Sequence, residues 1–397
     1  MRGLTVHDVH RYIRGVCFKN GPPGTVGAET EWLVTAAADP AAHVPAAGVR
    51  ALVAAAGDPP GGSRVTYEPG GQIELSSAPC ADLGTLHRAL ARDIAHLRVA
   101  LEPAGLTLTG RGVDPLRLPR FQAEHPRYRC MRDYFVASGF ADAGLAMMCT
   151  TASVQVCVDI GADAADAARR WWLAHALGPV LVAAFANSPV RSGRATGLRS
   201  SRQGIWTDLD PCRTLPVCDV HTDPAQAWAR YALDARVMVR RTAEGGWLAD
   251  PGMTFGEWVA TGEPTEDDLV YHLSTLFPPV RPRGWLELRM IDALPGRYWP
   301  VPVAVATALL DDPAASAAAE EAVAPVASRW SEAARDALTD APLALAARAC
   351  FAAAIEALPR LRGGALVPLV AEYAARYVER GRCPADDIAP RMQEVAS

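Results

Sequence analysis

The chain has 397 residues, a formal net charge of −5, 50% hydrophobic and 21% charged residues. That length suits one large domain or two ordinary ones with a substantial core, and the mild acidity lacks the concentrated basic footprint of a nucleic-acid binder. Lys19 is the only lysine, which excludes a G-x-x-x-x-G-K-[ST] P-loop and leaves one candidate for Schiff-base chemistry. No run reaches the roughly 18–20 apolar residues of a membrane span, and the N-terminus lacks the apolar stretch of a secretory signal; a cytoplasmic protein is expected. Nine cysteines, Cys218 among them, include no C-x-x-C pair, so reduced core thiols are expected instead of a zinc knuckle.

Residues 5–20 are expected to be helical up to the breaker Gly21-Pro22-Pro23-Gly24, and a strand follows over 26–34. A helix near 46–57 leads through Pro59-Pro60-Gly61-Gly62 into 67–76, which reads as one strand. Leu86, Leu90, Ile94, Leu97 and Leu101 recur at helical spacing and predict a helix over 83–101. Strands are expected near 105–112 and 151–159, then a single long helix from about 163 to 187, ending before Ser188-Pro189. The stretch 191–210, rich in Gly, Ser and Arg, reads as a loop over a site. Strand and helix signals alternate as far as 285–290, and beyond 301 the chain is expected to be all helical. This pattern predicts an α+β domain over 1–312, with a helical region over 313–397 packed on it, and not a doubly wound βαβ fold.

Four segments carry a chemical face. Alternate strand residues face opposite sides, so Glu68, Gln72 and Glu74 share one face of 67–76 while Ile73 and Leu75 occupy the other. Glu29 and Glu31 share a face in the same way, as do Ser153, Gln155 and Cys157 opposite three valines. In Trp285-Leu286-Glu287-Leu288-Arg289 an acid and a base share a face of a strand that reads as largely buried. Each segment alone fits a solvated edge, a hairpin, a one-sided strand or a structural ion pair. Together they bring up to five carboxylates (Glu29, Glu31, Glu68, Glu74, Glu287) with little neutralising charge of their own. Hard oxygen ligands suit Mg²⁺, which commonly bridges carboxylates to substrate phosphates, while Arg199, Arg202 and Arg289 are candidates for gripping carboxylate or phosphate oxygens.

In family order over roughly 25–310, these segments resemble plant-type and proteobacterial glutamate–cysteine ligases. The likeness runs through Gly27-Ala28-Glu29-Thr30-Glu31, the 67–76 signature, Tyr128-Arg129-Cys130-Met131-Arg132-Asp133-Tyr134, Met147-Met148 and Ser153-Val154-Gln155-Val156. It continues through Ile205-Trp206-Thr207-Asp208-Leu209-Asp210-Pro211, Gly252-Met253-Thr254-Phe255, His272–Pro278 and Trp285–Arg289. Within that family the segments resemble the actinobacterial EgtA-type variant, which makes γ-glutamylcysteine for ergothioneine synthesis. The resemblance implies a curved antiparallel sheet surrounded by helices, related to glutamine synthetase. It implies that Glu29, Glu31, Glu68, Glu74 and Glu287 surround Mg²⁺ and the ATP phosphates, with Gln155 and Gln72 beside them. By the same likeness, Glu68, Glu287 and Arg289 act at the transferring phosphoryl group, and Arg202, Trp206 and Ser153 bind the glutamate. Thr150, Ala152, Ser153 and Cys157 depart from the plant pattern, which puts a nucleotide- or metal-facing role for position 157 in doubt and argues against a redox-switching disulfide.

The expected reaction is phosphorylation of the glutamate side-chain carboxylate by ATP, followed by attack of the cysteine amine. Charge neutralisation is the main demand of such chemistry, and no protein nucleophile is needed. The expected partners are small molecules only, in a monomer or homodimer that binds neither nucleic acid nor membrane. Two alternatives stay open: another ATP-dependent carboxylate–amine ligase of the same fold, and a non-catalytic binding protein on that scaffold.

Overall fold

Residues 3–21, 24–217, 222–242 and 245–388 are described by the computed structural model; Pro22, Pro23 and Cys218 lie outside them. The principal strands are β1 (Val26–Ala36), β2 (Arg64–Tyr67), β3 (Ile73–Ser76), β4 (Leu106–Thr109), β5 (Ser153–Asp159), β6 (Val280–Pro282) and β7 (Trp285–Asp292). They form a seven-stranded sheet in the order β6-β7-β5-β1-β3-β2, with β4 paired to the far half of β1. Every pairing is antiparallel.

The period-two pattern decides which side is core. Ala28, Thr30 and Trp32 of β1, Ile73 and Leu75 of β3, Val154, Val156 and Val158 of β5, and Leu286 and Leu288 of β7 are all buried. Helices Leu83–Leu101, Gly178–Phe185 and Pro300–Asp311 pack against the sheet. Each fully buried Val, Leu or Ile there contributes about 1.5–3 kcal/mol. The Leu83–Leu101 helix matches its expected bounds, and the Asp82 carboxylate caps it by accepting the Thr85 N–H at 2.7 Å. Sequence alternation thus commits the opposite face of the sheet, with its acids, to a cleft.

Three expectations are corrected. Residues 67–76 are a hairpin and not one strand: the Gly71 N–H donates to the Glu68 carbonyl and the Glu68 N–H to that of Gln72, both at 2.9 Å. Pro69-Gly70-Gly71 makes the turn, with Gly71 at φ 92° and Gly70 so close to the end of the Ala141–Thr150 helix that a Cβ would lie 2.1 Å from the Cys149 carbonyl oxygen. The long helix over 163–187 is two, Ala164–Ala176 and Gly178–Phe185. They part before Gly178-Pro179, where the missing Cβ of Gly178 admits the Trp330 ring. The stretch 191–210 is not a loop throughout: it holds a short ribbon (Val190–Arg191 with Arg194–Ala195) and a helix, Ser201–Asp208. Ser200 caps that helix, its hydroxyl accepting the Gln203 N–H at 3.1 Å.

Beyond Pro300–Asp311 the described residues are helical, in Pro313–Val323, Trp330–Arg335, Ala341–Ala357 and Val367–Arg376 with short 3₁₀ turns between. These helices return to the same core. The Tyr373 hydroxyl donates to the Ala184 carbonyl at 2.9 Å, and its ring stacks on Phe351 with centroids 5.9 Å apart. Among the described residues no helix is long and apolar enough to cross a membrane. Cys17, Cys80, Cys130, Cys149, Cys157, Cys212, Cys350 and Cys383 are free thiols.

Candidate active site

Strand register builds an acidic corner. Glu31 of β1 stands opposite Glu74 of β3, and Glu29 stands between Ser76 on one side and Gln155 on the other. The β2–β3 turn adds Glu68, so that carboxylate oxygens of Glu31, Glu68 and Glu74 lie within 4.8 Å of one another. Glu31 is anchored, accepting the Ser153 N–H at 2.8 Å and the Gln155 side-chain amide at 3.0 Å. Glu74 accepts the Thr66 hydroxyl at 2.5 Å. Burial first, and then Glu74, raises the pKa of Glu31; burial, Glu74, Glu31 and Glu29 lift that of Glu68 well above the ordinary value. Burial, Glu287 and Glu74 push Glu29 up to about 8. Three carboxylates held this close, without an arginine within ion-pair distance among the described residues, repel one another unless a cation or protons intervene.

The same cleft also carries basic groups. Its lining includes six arginines, Arg64, Arg127, Arg202, Arg281, Arg283 and Arg289. Five of the six come from outside the four acidic segments, and three of the six converge on one acid. Glu287, fully buried, pairs with Arg281 at 2.8 Å, with Arg283 at 3.3 Å and closely with Arg289. Burial alone would raise its pKa, but these guanidinium groups outweigh it and hold Glu287 down to about 2. Arg289 also donates to the Gln155 side-chain oxygen at 2.6 Å. The register of β7 shifts between Leu288 and Ile291, and the Arg289 carbonyl at this bulge accepts an Arg202 N–H at 2.8 Å.

Arg202 is 2% exposed, yet its Nε and Nη1 have no acceptor in the protein. A buried guanidinium with two unused donors is costly unless a ligand oxyanion completes it. Trp206, one turn along the same helix, places its ring 5.9 Å from the Arg202 guanidinium and 5.9 Å from the Phe277 ring. Arg289 Nε is likewise buried and unpartnered.

The fold therefore brings Glu29, Glu31, Glu68, Glu74, Gln155, Arg202, Trp206 and Arg289 to one cavity of about 370 Å³, within the range of small-molecule sites. Glu287 lies beneath its floor, wrapped by arginines. Ser153 is fully buried and offers Glu31 its backbone amide. Gln72 lies outside the lining; its amide nitrogen donates to the Thr151 carbonyl at 2.8 Å and ties the hairpin to the C-terminal end of the Ala141–Thr150 helix. Arg199 is drawn away into an ion pair with Asp386. Sequence reasoning missed Arg281 and Arg283, which sit on the β6 side of the β6–β7 hairpin. Arg-Pro-Arg-Gly before Trp285-Leu286-Glu287 was the available signal, with Gly284 at φ 86° making the turn. Arg127 and Tyr128 also line the cleft. The phenol of Tyr128 has a raised pKa, first through the charge of Glu68 and then through burial.

Comparison with known proteins follows the same outline. The sequence profile of glutamate-cysteine ligase family 2 (GCS2) matches residues 25–396. The chain is 43% identical over 380 residues to glutamate–cysteine ligase EgtA of Mycolicibacterium smegmatis, covering 94% of this chain and 88% of that one. Identity to the EgtA ligase of Mycobacterium tuberculosis is 42% over 390 residues, 96% of this chain and 89% of the relative. The chloroplastic glutamate–cysteine ligase of Brassica juncea is 37% identical over 251 residues, 60% of this chain and 48% of the plant protein.

Proposed function

The chain belongs to glutamate–cysteine ligase family 2, and on that premise we propose that it joins the γ-carboxylate of glutamate to the amine of cysteine at the expense of ATP. The observation that carries this reading is the polarity of one cleft. Glu31, Glu68 and Glu74 form an unpaired acidic corner, and in the same cleft Arg202 and Arg289 hold buried N–H groups with no acceptor. A magnesium nucleotide and an amino acid with two carboxylates complement the two sets.

The acidic corner fits a hard divalent cation through its oxygen-only donor set. Glu31, Glu68 and Glu74 would hold it, with Glu29 adjoining, and bound there Mg²⁺ would offset negative charge on the phosphates of ATP. Arg202 and Trp206 bind and orient the glutamate. Arg289, braced by Glu287 and Gln155, faces the oxygens of the group being transferred. In the reaction a γ-carboxylate oxygen bonds to the terminal phosphorus of ATP and the bond to ADP breaks. The cysteine nitrogen then bonds to the acyl carbon, phosphate leaves, and the amine proton passes to solvent. The chain supplies charge and position, and no protein nucleophile takes part. The two EgtA relatives support a role for the product, γ-glutamylcysteine, in ergothioneine synthesis.

A coupled assay of ADP release, with identification of the product, tests the proposal. ADP should appear only when glutamate, ATP and cysteine are all present. Release with another amine but not cysteine would point to a different ligase, and no release with any amine to a binding protein.

A further inference from the structure

We propose that the C-terminal helical region positions Arg202, through a clasp formed by Ala334, Asp386 and Arg199; the proposal rests on the glutamate-binding role given to Arg202 above. The Ser201–Asp208 helix starts one residue before Arg202, so whatever fixes its first turn fixes the guanidinium. That turn contains Gly204 and belongs to a helix of only eight residues, too short to be stable on its own. Its geometry must come from tertiary contacts.

Those contacts come from two directions. From the sheet, Asp292 at the end of β7 accepts the Ser200 hydroxyl at 2.9 Å, the Ser188 hydroxyl at 2.7 Å and the Asn187 N–H at 2.9 Å. Ser188 passes the constraint on, its hydroxyl oxygen accepting the Arg202 N–H at 3.2 Å. From the C-terminal region, a single carbonyl, that of Ala334, accepts two successive amides, Arg199 at 2.8 Å and Ser200 at 3.0 Å. The Arg199 side chain pairs with Asp386 in the closing 3₁₀ turn, Pro384–Asp387. That turn is itself pinned to the core, since the Ala385 N–H donates to the Ala186 carbonyl at 2.9 Å. Residues 334 and 385–386 thus grip the backbone and side chain immediately before the Arg202 helix. Helices that carry no chemical motif acquire a task in substrate binding, beyond packing.

Asp386→Asn and Arg199→Met test this. The first keeps an oxygen to accept the Cys383 N–H, which the Asp386 carboxylate takes at 2.9 Å; the second leaves Asp386 intact. Both should raise KM for glutamate about tenfold, because displacing a binding group slightly is enough to weaken its contacts. The KM for ATP and kcat at saturating glutamate should stay within about twofold of wild type. The double exchange Arg199→Asp with Asp386→Arg should recover most of the glutamate KM. Unchanged glutamate KM in both variants, an equal rise in both KM values, or a lowered Tm with normal KM would overturn the clasp. Failure of the ligase reading shows separately, as a wild-type chain that releases no ADP and binds no glutamate.

Discussion

Glu31 and Glu74 face each other across the β1–β3 ladder, two carboxylates in direct register at the wall of the cleft. Glu68, from the turn that joins β2 to β3, closes the group to within 4.8 Å. Like charges opposite one another in a sheet cost stability, so the corner needs a cation or bound protons to offset the repulsion.

Replacing Glu68 with Gln should therefore affect stability and turnover in opposite directions. Without metal the repulsion falls, and Tm should rise. In the assay kcat should drop by about 10²-fold or more, as expected when a preorganised charge next to a transferring group is removed. Thermal melts without divalent ions, set beside ADP-release rates, check both signs.

Glu287→Gln should behave differently. That carboxylate is clasped by Arg281, Arg283 and Arg289, and removing it strands buried guanidinium groups. The expected cost is about 3–5 kcal/mol, so denaturant unfolding should show a clear loss where Glu68→Gln shows none.

The acidic corner also sets a pH dependence. Glu29 is held up at about 8 against an ordinary 4.5, by burial first and then by Glu287 and Glu74. A carboxyl raised by folding favours the folded state while protonated. Its contribution is complete below about pH 4.5 and is lost as pH rises toward 8. Metal-free protein should lose Tm across that window, and Mg²⁺ should restore more of it at pH 8 than at pH 6. Glu29→Gln should flatten the metal-free profile; melts at both pH values, with and without Mg²⁺, read the difference.

Arg202→Lys keeps the charge but loses the planar fork that leaves Nε and Nη1 free for a carboxylate. The KM for glutamate should rise about 10- to 100-fold, the scale of one or two charged hydrogen bonds, with a much smaller change in the KM for ATP. Initial-rate kinetics with each substrate varied in turn separate the two.

The alternation around Glu29, Glu31, Gln155 and Glu287 was legible because strand period alone decides which side a residue takes. The Leu83–Leu101 helix was legible for the equivalent reason at helical period. The hairpin at 68–72 stayed only one of two readings because its turn preserves the polar alternation, placing Glu68 and Glu74 in one corner by a route that parity does not describe. The Ser201–Asp208 helix was hidden because Asp292 and Ala334, distant in sequence, hold its first turn. The arginine clamp on Glu287 depended on the pairing of Arg281 opposite it across the β6–β7 hairpin, a relation of register that composition does not carry.

A calorimetric titration of Mn²⁺ into the wild-type chain and into Glu68→Gln and Glu74→Gln tests the acidic corner most directly. Wild type should bind the ion in the absence of nucleotide, and each variant should bind it about tenfold more weakly or worse. Equal affinity in all three proteins would contradict the assignment of Glu31, Glu68 and Glu74 as the cation site.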